Sequence, residues 1–420
     1  MIVSAVRILG TGELVDIVVS GSTINSIVPS RQVLPRPIER VALPGLVDLH
    51  THLREPGDEE AETIETGTRA AAAGGFTDVF AMPNTNPPID TVDRVRMLRR
   101  LIREGPVHAG VHVIAAASTG RQGKQLVDVA ALVDEGVTMF SDDGSCLDDA
   151  ELVRRILVTT AKTHTVFAQH AQSHKLAGRG VVHSRIAKQL GVEEWPRAGE
   201  ESVIARDIEL AAQTGGYLHV CHVSTEGSVE LIRQAKADGV NVTTEVTPHH
   251  LVLTDDDVLR EGALLKVNPP LREIADAAAV RGGLRDGTID IVATDHAPHS
   301  MRRKQGEISQ AAFGLTGLET ALAVVSDVLV SDSGETDWGA VARVLSYTPA
   351  QIGSLDERMM STLGVGSRAT FCVVETSSSP LAANPVRSRS LNSPFGAYPL
   401  RARVLLTVRE GLTTFKSAGL

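Results

Sequence analysis

The chain has 420 residues, a formal net charge of −10, 42% hydrophobic residues and only 3% aromatics. That length can bury a large core, and the acidic balance excludes a nucleic-acid surface or a polybasic membrane patch. The three cysteines, Cys146, Cys221 and Cys372, form no CxxC pair, which speaks against a disulfide framework or a thiolate zinc knuckle and for a reducing compartment.

Residues 1–43 alternate apolar and polar positions around Gly turns, as in Asp16-Ile17-Val18-Val19-Ser20-Gly21-Ser22. The opening residues lack a basic region followed by an apolar leader, and no apolar run is long enough for a bilayer. A cytoplasmic protein with neither membrane nor nucleic-acid partner is expected. From Pro44 a unit repeats: a β-branched run, a polar terminus, then a helical stretch. Strand candidates cover 47–52, 76–84, 107–118, 137–143, 166–170, 217–224, 240–250 and 288–299, with helices between them at 63–73, 150–162, 200–213 and 226–237. Strands alternating with helices predict parallel βαβ units, and eight of them predict a closed barrel. The stretch 171–216 exceeds one crossover and should carry an extra helix or loop. Residues 300–312 should form a mobile loop after strand eight, whose Arg302-Arg303-Lys304 cluster is read as solvated, with attraction of an anionic small molecule as the alternative. Residues 362–420 return to alternation, as in Ala369-Thr370-Phe371-Cys372-Val373-Val374. The expected architecture is α/β: a (β/α)8 TIM-type barrel over 44–361, with a small β-sandwich domain built from both termini, 1–43 and 362–420.

Fourteen histidines are present, many at strand ends. In a strand, i and i+2 share a face, so His50 and His52 of Val47-Asp48-Leu49-His50-Thr51-His52 point the same way. Two imidazoles at a barrel-strand end make half of a transition-metal site. Strand four ends in Asp142-Asp143, strand five in His170, strand six carries His219 and His222, and strand eight ends in Asp295-His296. Barrel active sites assemble at these C-terminal strand ends. Solvation or packing alone does not explain five strand ends that supply His, Asp, His, His and Asp. Asp143 and Asp295 are the candidate carboxylates, with His50, His52, His170 and His222 as nitrogen donors, enough for two metals. His219 and His222 lie three apart, so only one should enter the barrel.

The string Asp48-Leu49-His50-Thr51-His52-Leu53-Arg54-Glu55-Pro56-Gly57 resembles the signature of dihydroorotases in the amidohydrolase superfamily. The resemblance continues through Met82-Pro83-Asn84-Thr85-Asn86-Pro87, Phe140-Ser141-Asp142-Asp143-Gly144 and His219-Val220-Cys221-His222-Val223-Ser224. It extends to Glu245-Val246-Thr247-Pro248-His249-His250, Lys266-Val267-Asn268-Pro269-Pro270 and Ala293-Thr294-Asp295-His296-Ala297-Pro298-His299, with a weaker echo at Asn392-Ser393-Pro394-Phe395-Gly396. It implies two Zn2+ per subunit: one on His50, His52 and Asp295, a second on His170 and His222, and Asp143 between them. The family pattern takes the second Asp of the pair, which selects Asp143 over Asp142. Many relatives bridge with a carboxylated lysine. Here the one lysine between the HxH motif and Asp143 is Lys124, in a Gly-flanked loop, so the chain resembles the branch with an aspartate bridge.

The implied reaction interconverts N-carbamoyl-L-aspartate and dihydroorotate, with Asp295 taking a proton from the attacking water and giving it to the departing nitrogen. Arg54, two residues beyond His52, suits a non-reacting substrate carboxylate. By resemblance Asn84 and His299 share that carboxylate, Asn268 and the backbone of Phe313 and Gly314 contact the ring amides, and His52 borders metal and substrate. His249, His250 and His296 are read as supporting residues. Further partners in the reading are a second copy of the chain and aspartate transcarbamoylase. Rival readings are a dihydropyrimidinase or allantoinase, against which Arg54 and the missing lysine speak, and an inactive scaffold, against which the filled ligand positions speak.

Overall fold

The chain opens with β1 (Ile2–Ile8), β2 (Val15–Ser20), β3 (Thr23–Pro29) and β4 (Glu39–Pro44); β2 shows the alternating burial its sequence pattern predicts, whereas β4 is buried without alternation from Val41 to Pro44. The structure, a computed structural model, describes residues 1–9, 12–35, 37–355, 363–396 and 398–418. The expected boundary at 361/362 lies outside the described residues.

Eight parallel strands follow. β5 (Leu46–Thr51), β6 (Phe76–Ala81) and β7 (Gly110–Val113) form one sheet. β8 (Met139–Phe140) and β9 (Val166–Gln169) begin a second. Within the long crossover after β9 lie the short helices His174–Ala177 and Ser184–Leu190 and a small parallel pair, β10 (Val182–His183) and β11 (Glu194–Trp195). The second sheet continues through β12 (Leu218–Val220), β13 (Val242–Val246) and β14 (Ile291–Val292), in the order β14-β13-β12-β9-β8. Single parallel bridges join the two sheets at both seams, Ala115 to Phe140 and Thr51 to His296, the latter carrying a His52 N–H donated to the His296 carbonyl at 2.9 Å. Helices pack outside, and their starts are legible: Thr63, Asp149 and Thr225 each accept a backbone N–H at the first turn of Ile64–Ala73, Ala150–Thr163 and Glu226–Ala237.

Alternate residues divide between two cores. Phe140, Phe167, Leu218 and Val292 face the helices, whereas Val47, Leu49, Phe80, Met139, Ala168 and Ile291 pack together on the inner side. One irregularity matters for function. Asp48 pairs with Val79 and Thr51 with Ala81, so β5 carries one extra residue between these pairs. That bulge shifts the phase of the strand, which lets Leu49 and then His50 and His52 all face inward.

The chain closes with β15 (Phe371–Thr376), β16 (Ala402–Arg409) and β17 (Leu412–Lys416). They join the first four strands in one seven-stranded sheet, β17-β16-β15-β4-β1-β2-β3, whose central join pairs Phe371 with Pro44 through to Thr376 with Glu39. Period two again sorts its side chains. Ala42, Phe371 and Val373 enter a core of the sheet's own, while Val41, Leu43, Cys372 and Val374 pack toward the helices. The far ends of the sheet meet at the β16–β17 turn, where a Cβ on Gly411 would lie 1.9 Å from the Gly21 carbonyl oxygen.

Candidate metal and substrate site

His52, Arg54, Asn84, Asp143, His170, His222, Asn268, Asp295, His299, Phe313 and Gly314 line one cavity of about 200 Å³ at the C-terminal ends of the parallel strands. His50 lies beneath it, fully buried. Asp143 sits at the centre. Its Oδ1 is 3.3 Å from His50 Nε2, 3.2 Å from His170 Nδ1 and 3.8 Å from His222 Nε2, while its Oδ2 is 3.5 Å from His52 Nε2. Asp295 Oδ1 closes the other side, 3.0 Å from His52 Nε2 and 3.5 Å from His50 Nε2. Asp142 turns away and accepts the backbone N–H groups of Ala117 and Ser118 at 3.0 and 2.9 Å. Lys124 is exposed.

Three of the imidazoles have the nitrogen turned away from the cluster committed to a partner, as metal-ligating histidines do. His50 Nδ1 donates to Glu245 Oε1 at 2.6 Å, His52 Nδ1 to Asn84 Oδ1 at 2.9 Å, and His170 Nε2 to Gln172 Oε1 at 2.9 Å. The inner His50 Nε2 is buried with no hydrogen-bond partner. Donor atoms of His50, Asp143 and His222, and of His50, His52 and Asp295, lie within 4.8 Å of one another. Charge agrees with geometry. Burial would push the Asp143 carboxyl up, yet His50, His170 and His222 hold it well below its ordinary value. Burial likewise opposes ionisation of Asp295, but His50 and His52 keep it low. His50 itself, which burial would render neutral, is drawn well above the ordinary histidine value by Asp143, Glu245 and Asp295. A divalent cation answers this convergence of carboxylates and orphaned nitrogen.

Backbone strain collects here. Arg54, His222 and Asp295 have φ of 62°, 32° and 45°, a region that non-glycine residues enter at some cost and that clusters at functional sites. The turn at His222 corrects the strand-six expectation. His219 and His222 both point inward, because the left-handed backbone after Val220 and Cys221 cancels the strand alternation. His219 Nε2 lies 3.1 Å from Glu245 Oε2, directly behind His50.

On the substrate side, Arg54 Nε donates to the Pro298 carbonyl at 3.2 Å, and its Nη2 stands 3.4 Å from His299 Nε2. Burial pushes the Arg54 guanidinium down to about 10, which leaves it charged at neutral pH. His299 donates Nε2–H to the Phe313 carbonyl at 2.7 Å, and burial followed by Arg54 pushes it down to about 3, so it is neutral. Asn268 Nδ2 donates to Gln172 Oε1 at 3.0 Å. His250 bridges Thr247 Oγ1 and the Pro269 carbonyl, and His296 lies 3.3 Å from Glu62. The 300–312 loop holds a second correction. Lys304 is buried, not solvated, and donates to the carbonyls of Lys266 and Ala312 at 2.9 Å each. Sequence reasoning missed the roles of Glu245 and Gln172. Glu245 stands at the head of one of the resembling strings, but which imidazole it serves depends on the fold.

A family model described as Dihydro-orotase-like matches residues 39–228. The chain is 48% identical to the dihydroorotase of Leifsonia xyli over 89% of this chain and 86% of that one. It is 43% identical to the dihydroorotase of Streptomyces coelicolor over 98% and 97%, and 42% identical to that of Mycobacterium tuberculosis over 99% and 98%. Among solved structures it is similar to an L-hydantoinase (dihydropyrimidinase) from Arthrobacter aurescens, with a TM-score of 0.83 and 23% identity over 99% and 96% of the two chains. A D-hydantoinase (dihydropyrimidinase) from Thermus sp. gives a TM-score of 0.79 at 20% identity over 99% and 95%. Likeness at that identity speaks to the fold.

Proposed function

The chain belongs to the dihydroorotase family, and from that premise we propose that it interconverts N-carbamoyl-L-aspartate and (S)-dihydroorotate, the third step of de novo pyrimidine synthesis. One observation carries the reading: a single cavity holds both a set of metal donors and a charged guanidinium, Arg54, of the kind that grips a carboxylate.

The site suits two Zn2+: His50, His52 and Asp295 would hold one and His170 and His222 the other, with Asp143 available to both. Imidazole and carboxylate donors without thiolate suit zinc, and the position of Asp143 between both donor groups supports the pair. When bound, zinc would supply Lewis acidity that brings the ionisation of water toward neutrality. Arg54, Asn84 and His299 hold the substrate carboxylate, with His52 beside it, while Asn268 and the backbone of Phe313 and Gly314 orient the ring amides. Asp295 takes the proton of the attacking water and delivers it to the ring nitrogen as the amide bond breaks; closure runs the same transfers in reverse.

The scaffold for this chemistry is a closed (β/α)8 barrel over 44–361, supported by the two seam bridges. A β-sandwich of 1–43 and 362–420 completes it, supported by the meeting of the sheet's ends. Within this reading the enzyme acts in the cytoplasm on small-molecule substrates. Following dihydroorotate formation from carbamoyl-aspartate, with metal analysis of the same sample, tests the activity. Hydrolysis of dihydrouracil or allantoin without action on dihydroorotate would overturn it.

A further inference from the structure

β15 and β16 are antiparallel neighbours, paired from Phe371–Val408 to Thr376–Ala402. A tight turn would suffice to join them. Instead the chain after β15 leaves the sheet, and residues 389–392 lie at the mouth of the parallel strands. Its anchors there are specific. The Arg389 N–H donates to Glu62 at 3.0 Å, and Ser390 Oγ donates to the Ala61 carbonyl at 2.6 Å.

At its tip the fully buried carboxamide of Asn392 makes three hydrogen bonds. Oδ1 accepts the His299 N–H at 3.1 Å, and Nδ2 donates to the carbonyls of Ala297 and Gly314, each at 3.1 Å. One side chain thus uses its acceptor and both donors on the two backbone stretches that present His299, Phe313 and Gly314 to the cavity. The first stretch also contains Pro298, whose carbonyl receives Arg54 Nε. The fit is tight: Gly314 has φ of 124°, and a Cβ there would lie 2.5 Å from Ala297 Cβ. The carboxamide's three partners are backbone atoms of His299, Ala297 and Gly314 and none is a metal-donor side chain, although Asp295 precedes Ala297 by two residues on the same strand end.

We propose that Asn392 is a positioning residue for substrate selection: by holding 297–299 against 313–314 it sets the spacing of Arg54 and His299 that recognises the ring carboxylate. This inference rests on the dihydroorotase reading and adds to it a specificity determinant from the distant C-terminal sheet. Losing the carboxamide strands two buried carbonyls and one N–H, so the stretches must part to find water.

The test compares full-length, zinc-loaded wild type with Asn392→Ala, Asn392→Asp (which keeps the acceptor and loses both donors) and Asn392→Ser. Readouts are KM and kcat per bound metal for dihydroorotate, kcat/KM for its methyl ester, metal content and Tm. The expected result is a KM for dihydroorotate raised about ten-fold in the Ala and Asp variants and less in Ser, with kcat per metal nearly constant. The preference for the acid over the ester should fall in parallel. If the Ala variant does not fold, the Ser and Asp variants carry the comparison. A lower Tm with KM and acid-to-ester preference unchanged overturns the proposal, as does a fall in kcat per metal alone. A wild-type chain without dihydroorotate turnover overturns the functional reading instead.

Discussion

Glu245 offers the sharpest test of how the metal site is built. Its Oε1 accepts from His50 Nδ1 at 2.6 Å and from the His222 N–H at 3.3 Å, and its Oε2 accepts from His219 Nε2 at 3.1 Å. The carboxylate is held low, at about 2: burial opposes this, but His50 and His219 outweigh it. Glu245→Gln keeps the shape and one acceptor while removing the charge. Its oxygen can still take the His50 proton, and the His219 ring can then present a bare Nε2 to the amide. What is lost is the charged character of the bond to His50, roughly half of a ~3 kcal/mol interaction, or about ten-fold. Second partners of metal-bound histidines change metal affinity by about 10- to 100-fold on mutation, which brackets the same figure. Zinc affinity measured by competition with a chromogenic chelator should therefore weaken about 10- to 30-fold, with kcat per bound metal changed less. An affinity within about two-fold of wild type would show that Glu245 does not set the basicity of His50.

Arg54→Met should raise KM for dihydroorotate about 100-fold, since a buried charged clamp is worth ~3 kcal/mol, while metal content stays unchanged; loss of metal instead would make Arg54 structural. Asp295→Asn should retain the far-ultraviolet circular dichroism of wild type and lose at least about 100-fold in turnover, and near-normal rates would refute its role as proton carrier. Lys304 gives a pH prediction. Burial pushes it from 10.5 down to about 7, so between these values the unfolded chain holds a proton that the folded chain lacks, and stability rises with pH across that window. Lys304→Met removes this dependence: by calorimetry its Tm advantage over wild type should be larger at pH 7 than at pH 9. A difference that does not vary with pH would refute the effect of burial on the Lys304 ammonium.

The alternation of apolar and polar residues and the rhythm of strand and helix made the eight parallel strands legible, because burial on a regular element imposes its own period. The expected helix at 226–237 corresponds to Glu226–Ala237. The polar residues placed at strand ends, His50, His52, Asp143, His170, His222 and Asp295, meet in one place because parallel strands bring their C-terminal ends to the same mouth.

Only the folded chain decided the rest. The bulge in β5 and the left-handed turn at His222 break the strict period two, so no reading of alternation could tell that Leu49 shares a side with His50, or that His219 and His222 both face inward. Glu245 and Asn84, which fix His50 and His52, come from other strands and loops, whereas Gln172 lies two residues from the His170 it fixes. The carboxamide of Asn392 arrives from the far side of the C-terminal sheet, and Lys304 is buried inside a run of charges that reads as solvated. A sequence specifies which groups a segment can present along its own axis. Which distant backbone each group meets is set by strand register and by loops that cross between sheets, and those are properties of the packed whole.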